Sequence, residues 1–125
     1  MDKTAIRDAA TIIVLRNPTT DPSVLMGQRG ASAAFLPGKF VFPGGAVDPN
    51  DANVPTSPLS ALDQQRLNAE SALPANAIAA AAIRELWEET GLILGHPHSW
   101  TDAPQGWRGF AQHGVIPHGG ALQFF

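Results

Sequence analysis

Residues 79–92, AAAAIRELWEETGL, constrain the fold of this chain more than any other stretch. Alanine, leucine and glutamate favour helices and Gly91 is a typical residue for ending one, so a helix is predicted at about 76–90. The face toward Ile83, Leu86 and Trp87 is apolar and suits a protein core. Positions three and four apart are neighbours on a helix, so three carboxylates project from the other face: Glu85, Glu88 and Glu89.

The clustering of these carboxylates has two interpretations. Like charges one turn apart cost a few tenths of a kcal/mol, which a bound divalent cation would offset. Hard oxygen ligands of this kind suit Mg²⁺ or Mn²⁺. The plainer interpretation is a solvated acidic face with Arg84 as its neighbour. The cluster alone leaves both open, and the residues upstream decide between them.

Composition bounds the class of protein. A chain of 125 residues is long enough for one domain with one core, and we predict a single domain over residues 1–125. A net charge of −3 predicts no general attraction to nucleic acid or to an anionic membrane. The absence of cysteine excludes disulfides and a thiolate nucleophile. With no long apolar run and no signal-peptide pattern near the N-terminus, a cytoplasmic protein is the default expectation.

The first half of the chain is predicted to form strands. Residues 9–16 are β-branched and apolar and predict a buried strand, and residues 23–29 predict its antiparallel hairpin partner. A short strand at 39–42 is followed by Gly44 and Gly45. Two glycines after a strand permit close backbone approach, although most such sequences are ordinary turns.

The second half adds helices and further strands, which gives a mixed α/β domain. A short amphipathic helix is predicted at 59–70, a strand or the start of a strand at 92–94 and a short helix within 105–113. Residues 115–120 are predicted to be a turn. A last strand is expected to open at 121–125, with no turn or polar tail after it, so we expect the fold to be truncated at its C-terminus.

Residues 84–92, RELWEETGL, match the pattern REUxEExGU (U apolar) at every defined position. This is the second half of the Nudix box, and the chain resembles the Nudix hydrolase family. Its first half, G-x5-E, is matched by Gly45 and, six residues on, by Asp51, where the family has glutamate. Arg84 follows Gly45 by 39 residues, against fourteen in the family pattern. About 25 residues, at roughly 50–75, are therefore inserted within the box.

The resemblance implies a fold and an activity. The sequence of residues 36–51, LPGKFVFPGGAVDPND, followed by an insertion, is similar to the coenzyme A and acyl-CoA diphosphatase-like branch. The implied fold is a Nudix-type α/β/α sandwich with a mixed sheet. The implied activity is metal-dependent hydrolysis of the diphosphate bond in a nucleoside diphosphate linked to another moiety, with CoA or acyl-CoA the favoured substrate. The implied partners are small molecules, and a homodimer is compatible with the resemblance.

The resemblance also assigns roles to residues of the box helix. Glu85 and Glu89, one helical turn apart, are the implied Mg²⁺ or Mn²⁺ ligands, and Glu88 is implied as a third ligand or as a catalytic base. Arg84 is implied to be a catalytic-site residue that orients a glutamate. The general base of the family often lies on a loop outside the box.

Three further residues are implied to bind substrate. Gly44 and Gly45 would allow backbone groups to approach the metal or the phosphate. Arg29 lies at the end of a predicted strand, where relatives place a phosphate-contacting cation; a solvated strand-end arginine is the equal alternative. An acid at the position of Asp51 is implied to support the loop, and the insertion separates it from the helix in the sequence.

Several alternatives stay open. The chain could be a Nudix-fold binding or regulatory module without turnover. His96 and His98 have alternating spacing but no evident third zinc ligand, and His118 is expected in a loop. Trp100 and Trp107 could stack on a nucleobase, but burial against the sheet is the simpler expectation.

Overall fold

The computed structural model describes residues 7–32 and 37–124, in which short strands surround one long helix. The helices are α1 (Ala61–Glu70), α2 (Ala75–Thr90) and α3 (Arg108–Ala111), and two 3₁₀ turns span Pro49–Asn53 and Gly119–Ala121. The strands are β1 (Ala9–Thr11), β2 (Leu15–Arg16), β3 (Ser23–Val24), β4 (Gly27–Gln28), β5 (Phe40–Val41), β6 (Gly44–Ala46), β7 (Gly95–Pro97) and β8 (Val115–Pro117).

The strands pair antiparallel as β1–β6, β2–β3, β4–β5 and β7–β8, and one parallel bridge joins Ser57 to His118. The predicted hairpin is confirmed, with Leu15 opposite Val24. Its first strand is interrupted because the backbone changes partner along its length. The Ile12 N–H donates to the Pro43 carbonyl, whereas the Val14 carbonyl accepts from Leu25. The mixed α/β fold class is confirmed.

Helix α2 forms nearly where the sequence predicts it. It starts one residue earlier, at Ala75, and ends at Thr90. Gly91 caps it, with a φ of 78° that suits glycine and an N–H that donates to the Trp87 carbonyl. Its alanines allow close packing, and Ala80 and Ala81 are fully buried. The helix therefore lies at the centre of the core and fixes the direction of its charged face.

Two hydrophobic clusters flank α2. On one side, Ala81 and Leu86 contact Ala10 and Ile12 of the β1 segment. On the other side a second cluster is built around aromatic side chains that follow in the chain: Val54, Ala80, Ile83, Trp107 and Phe110. Each apolar flank of α2 is thus covered.

The insertion within the box is folded onto α2. The predicted helix at 59–70 is observed as α1, which begins after Ser60, where the serine Oγ accepts a hydrogen bond from the Asp63 N–H. Leu59 and Leu67 pack on alanines at the start of α2. The insertion is therefore an ordered part of the domain.

Several predictions for the second half were wrong. A strand is expected at 92–94, but the observed strand, β7, begins at Gly95. A turn is expected at 115–120, but its first three residues form β8. Both segments are rich in glycine or proline, a composition that suggests turns. They form strands because each pairs with the other, with Gly95 opposite Pro117. The strand expected to open at 121 is wrong over its described residues, because Ala121 ends a 3₁₀ turn and residues 122–124 form no strand.

The single domain over residues 1–125 and its homodimer stay predictions. Among the residues that the structure describes, no helix has the length and apolar character needed to cross a membrane.

Candidate active site

A buried ion pair joins the two halves of the box. Asp51, in the first 3₁₀ turn, is fully buried, and Arg84 of α2 is 4% exposed. The Arg84 Nε donates to Asp51 Oδ1 at 3.0 Å, and its Nη2 donates to Oδ2 at 3.1 Å. Such bidentate geometry fixes both orientation and distance. Despite the insertion, Asp51 therefore lies against the helix. It occupies the position that the Nudix-box pattern gives to a glutamate.

The Asp51 carboxylate has all of its acceptor positions filled. Besides the two Arg84 bonds, Oδ2 accepts from the Asp48 N–H at 2.8 Å and Oδ1 from the Trp107 indole Nε1–H at 2.9 Å. A carboxylate has about four lone-pair sites, so this buried charge is fully hydrogen-bonded. That accounts for its complete burial.

Arg84 in turn uses all five of its N–H donors. Its remaining three bonds reach the Ala46 carbonyl of β6 at 3.0 Å, Glu85 Oε1 at 3.1 Å and Glu88 Oε2 at 3.1 Å. Burial would lower the pKa of Arg84, but the hydrogen bond and charge of Asp51, with the charges of Glu88 and Glu85, raise it overall. The guanidinium is thus a permanent cation that orients two glutamates.

Glu85 lies directly against Gly45 of β6. A Cβ built on Gly45 would come within 2.5 Å of the Glu85 carboxyl carbon, so only glycine leaves room for this carboxylate. Burial raises the pKa of Glu85; Arg84 opposes this shift, and the adjacent Glu89 carboxyl adds to it. Two carboxyl groups therefore face one another beside the paired glycines.

A cleft of about 860 Å³ opens next to this pair. It is lined by Glu89 and Thr90 from α2, by both glycines of β6, and by Arg29. The sequence-predicted residues thus fall into two groups. Glu85 and Glu88 meet at Arg84, whereas Glu89, Arg29, Gly44 and Gly45 border the cleft.

Comparison with known proteins finds similarity to Nudix hydrolases. No family model matches the chain. It is 37% identical over 94 residues to "Putative nudix hydrolase 7" of Caenorhabditis elegans, a match over 75% of this chain. Its structure resembles the crystal structure of a NUDIX hydrolase from Alicyclobacillus acidocaldarius, with a TM-score of 0.66 and 27% identity over 95% of this chain. This chain is similar to Nudix hydrolases over most of its own length. It spans 24% of the length of the first relative and 60% of the second.

The Nudix carboxylates do not form a ready-made three-residue metal cage. Within residues 7–32 and 37–124, no group of three or more histidines and acidic residues converges to hold a metal ion. Glu88 is drawn toward Arg84 instead of toward Glu89. Mg²⁺ in phosphate chemistry is commonly held by one or two carboxylates together with substrate phosphates and water, so the facing pair Glu85 and Glu89 fits that requirement.

The histidines form a separate cluster. The rings of His96 and His118 stack with centroids 5.3 Å apart, and His118 Nδ1 lies 2.9 Å from the Ser57 Oγ. No third zinc-ligating side chain joins them in the part of the chain that the structure describes. Their positions suit a structural contact between the insertion and β8.

Trp107 is the functional-site residue whose role the sequence did not predict. Its burial is confirmed, as is the partial burial of Trp100, whose Nε1–H donates to the Val115 carbonyl at 2.8 Å. The contact of Trp107 with Asp51 spans 56 residues. No spacing or motif in the sequence links these two residues, so only the fold reveals the contact.

The raised pKa of Glu85 predicts a pH dependence of stability. A carboxyl group whose pKa is higher in the folded chain binds more protons there, so its contribution to the free energy of unfolding falls as pH rises from the ordinary glutamate pKa of 4.5 through the folded pKa. Urea unfolding of metal-free wild type and Glu85→Gln, from about pH 4 to about pH 7, isolates this term. We expect the difference, wild type minus variant, to decrease with pH; a constant or rising difference would contradict it.

Proposed function

We propose that this Nudix chain is a divalent-metal-dependent pyrophosphohydrolase that cleaves the diphosphate bond of a nucleoside diphosphate linked to another moiety. The observation that carries the proposal is the buried Asp51–Arg84 pair. The pair holds Asp51 against α2, from which Glu85 packs on Gly45 and Glu89 lines the cleft that Arg29 also borders. Carboxylates, paired glycines and a cation around one cleft suit a phosphorylated anion and its counter-ion.

Each residue has a defined part in this proposal. Mg²⁺ or Mn²⁺, held by Glu85 and Glu89, would neutralise the diphosphate and polarise its phosphoryl oxygens. Arg84 keeps Glu85 in place and holds one oxygen of Glu88, so that the other oxygen can act as a further ligand or as a base. Arg29, half-buried at the cleft, would bind a phosphate oxygen.

The cleft also supports an apolar or aromatic portion of the substrate. Phe40 is 65% exposed, Met26 41% and Phe42 38%, and all three line the same cleft. These side chains would contact a nucleobase or an acyl chain while the diphosphate lies near Glu89. CoA or acyl-CoA remains the favoured substrate within this proposal, and the cytoplasmic location stays a prediction.

A substrate panel tests the activity. The purified protein is incubated with Mg²⁺ or Mn²⁺ and ADP-ribose, NADH, diadenosine polyphosphates, CoA or acyl-CoA, and the products are identified by mass spectrometry. We expect two phosphate-bearing products from at least one compound, and chelation with EDTA should abolish their formation. A folded protein that converts none of them with either metal would contradict the proposal.

A binding module without turnover is the second candidate. The observation that favours it is the engagement of Glu88 and one Glu85 oxygen by Arg84, which leaves fewer oxygens for a metal. Calorimetric binding of one of the same compounds without any product would support this candidate over the enzyme.

Alanine variants of the two glycines distinguish an effect on stability from an effect on activity. A Cβ on Gly44 would clash with the Ala10 backbone carbonyl in β1, whereas a Cβ on Gly45 would meet the movable Glu85 carboxyl group. Gly44→Ala is expected to lower the free energy of unfolding by about 1–3 kcal/mol, because a backbone cannot easily move aside. Gly45→Ala should cost less stability but reduce kcat/KM about 10- to 100-fold by displacing Glu85. Urea unfolding and steady-state kinetics measure the two effects; equal profiles for the two variants would contradict these assignments.

A further inference from the structure

We propose that Trp107 is a positioning residue of the carboxylate site, acting through Asp51 and Arg84. The inference rests on the proposed function, because it assigns Trp107 to the support of the groups that would hold the metal. It concerns a side chain outside the Nudix box, on the segment that leads into α3.

The indole of Trp107 is held rigidly. The side chain is fully buried, and its ring lies edge-on to Phe110 and Trp100 with centroids 5.0 Å and 6.4 Å away. Its backbone N–H donates to the Pro104 carbonyl, and its own carbonyl accepts from Ala111. The indole has a single N–H, whose direction is therefore set by the backbone and by the aromatic cluster.

That N–H completes the hydrogen bonding of a buried charge. It donates to the same Asp51 oxygen, Oδ1, that accepts from the Arg84 Nε. The family pattern has glutamate at this position, and aspartate is one methylene shorter. The aspartate is thus held between a fixed indole on one side and the guanidinium on the other, and both donors satisfy an oxygen that is fully buried.

The effect of Trp107 reaches the glutamates through Arg84. If the indole N–H is lost, Oδ1 keeps one donor, and the carboxylate is free to turn toward a better geometry. The guanidinium donates to Asp51 at two nitrogens, so it must follow. Its Nη1 is the donor shared by Glu85 and Glu88, and their orientation changes with it. A packing role alone would not produce this effect, because phenylalanine preserves an aromatic side chain at this position.

The chain supplies a matched control. Trp100 belongs to the same aromatic cluster, and its indole N–H donates to a backbone carbonyl, that of Val115, at 2.8 Å. Replacing either tryptophan by phenylalanine removes one indole N–H and some ring volume. Only the change at Trp107 removes a hydrogen bond from the Asp51 carboxylate.

The test is Mn²⁺ affinity, measured by electron paramagnetic resonance on the full chain, for wild type, Trp107→Phe and Trp100→Phe. We expect Trp107→Phe to weaken Mn²⁺ binding about tenfold, as for other residues that orient metal ligands, and Trp100→Phe to change it less than about twofold. In an Asp51→Ala background, which lacks the acceptor of the indole N–H, the effect of Trp107→Phe should disappear. Unchanged affinity in Trp107→Phe, or equal losses in the two tryptophan variants, would overturn the inference.

If Trp107→Phe does not fold, a second variant tests the same inference. Incorporation of β-(3-benzothienyl)alanine at position 107 keeps the ring shape and replaces the N–H by sulfur, and the same loss of Mn²⁺ affinity is expected. Absence of Mn²⁺ binding by wild type would overturn the proposed function and this inference together. Binding by wild type with no loss in this variant would overturn this inference alone.

Discussion

Asp51→Ala will lower the free energy of unfolding by about 3–5 kcal/mol, the range expected when one partner of a buried ion pair is removed. The variant leaves Arg84 buried with two of its five donors unpaired and takes away the acceptor of the Trp107 indole. The positive charge of Arg84, which Asp51 balances, cannot reach water because the Arg84 side chain is only 5% exposed. Urea unfolding followed by circular dichroism measures the loss.

Asp48→Asn is the matched control for this prediction. The Asp48 carboxylate is 63% exposed and lies 3.7 Å from the same guanidinium, so its charge is screened by solvent. We expect a change of less than about 0.5 kcal/mol. If Asp51→Ala and Asp48→Asn lower the free energy of unfolding by similar amounts, the Asp51–Arg84 pair is not what joins the two halves of the box.

Glu89→Gln will reduce kcat/KM on the order of 100-fold or more if Glu89 holds the metal as proposed, because losing such a carboxylate removes several kcal/mol of charge stabilisation from the transition state. Glu89 is exposed at the cleft, and glutamine preserves its shape, so stability should be nearly unchanged. Removal of a like charge beside Glu85 would even be mildly stabilising in the metal-free protein.

The control for Glu89→Gln is Asp21→Asn, which removes one exposed negative charge in the turn between β2 and β3. We expect this variant to retain wild-type kcat/KM and the same Mg²⁺ dependence. Equal activity in Glu89→Gln and wild type would show that Glu89 does not hold the metal, whereas equal losses in both variants would indicate a general effect of charge.

The part of the fold that could be predicted is the part that local chemistry determines. Helix α2 follows from its composition and from Gly91, and the hairpin of β2 and β3 follows from β-branched residues around a turn. The pairing of β7 with β8 could not be predicted, because both strands are only three residues long and contain proline. Their conformation depends on a partner about twenty residues away in the sequence.

The candidate site shows the same division. The box pattern locates Glu85, Glu89 and Gly45 because each has a fixed place in a recognised motif. The box pattern does not determine the position of Asp51, since only the folding of the insertion onto α2 returns that residue to Arg84. The three-carboxylate metal set stays a prediction. Helical spacing places those side chains on one face, but it cannot show that Arg84 holds Glu88.

We propose that the two separated halves of the Nudix box fold into one divalent-metal site. The most direct test of this claim is titration of purified wild-type protein and Glu89→Gln with Mn²⁺, followed by electron paramagnetic resonance. We predict saturable binding by wild type and binding at least about tenfold weaker in Glu89→Gln. No saturable binding by wild type, or equal affinity in the two proteins, would contradict the claim.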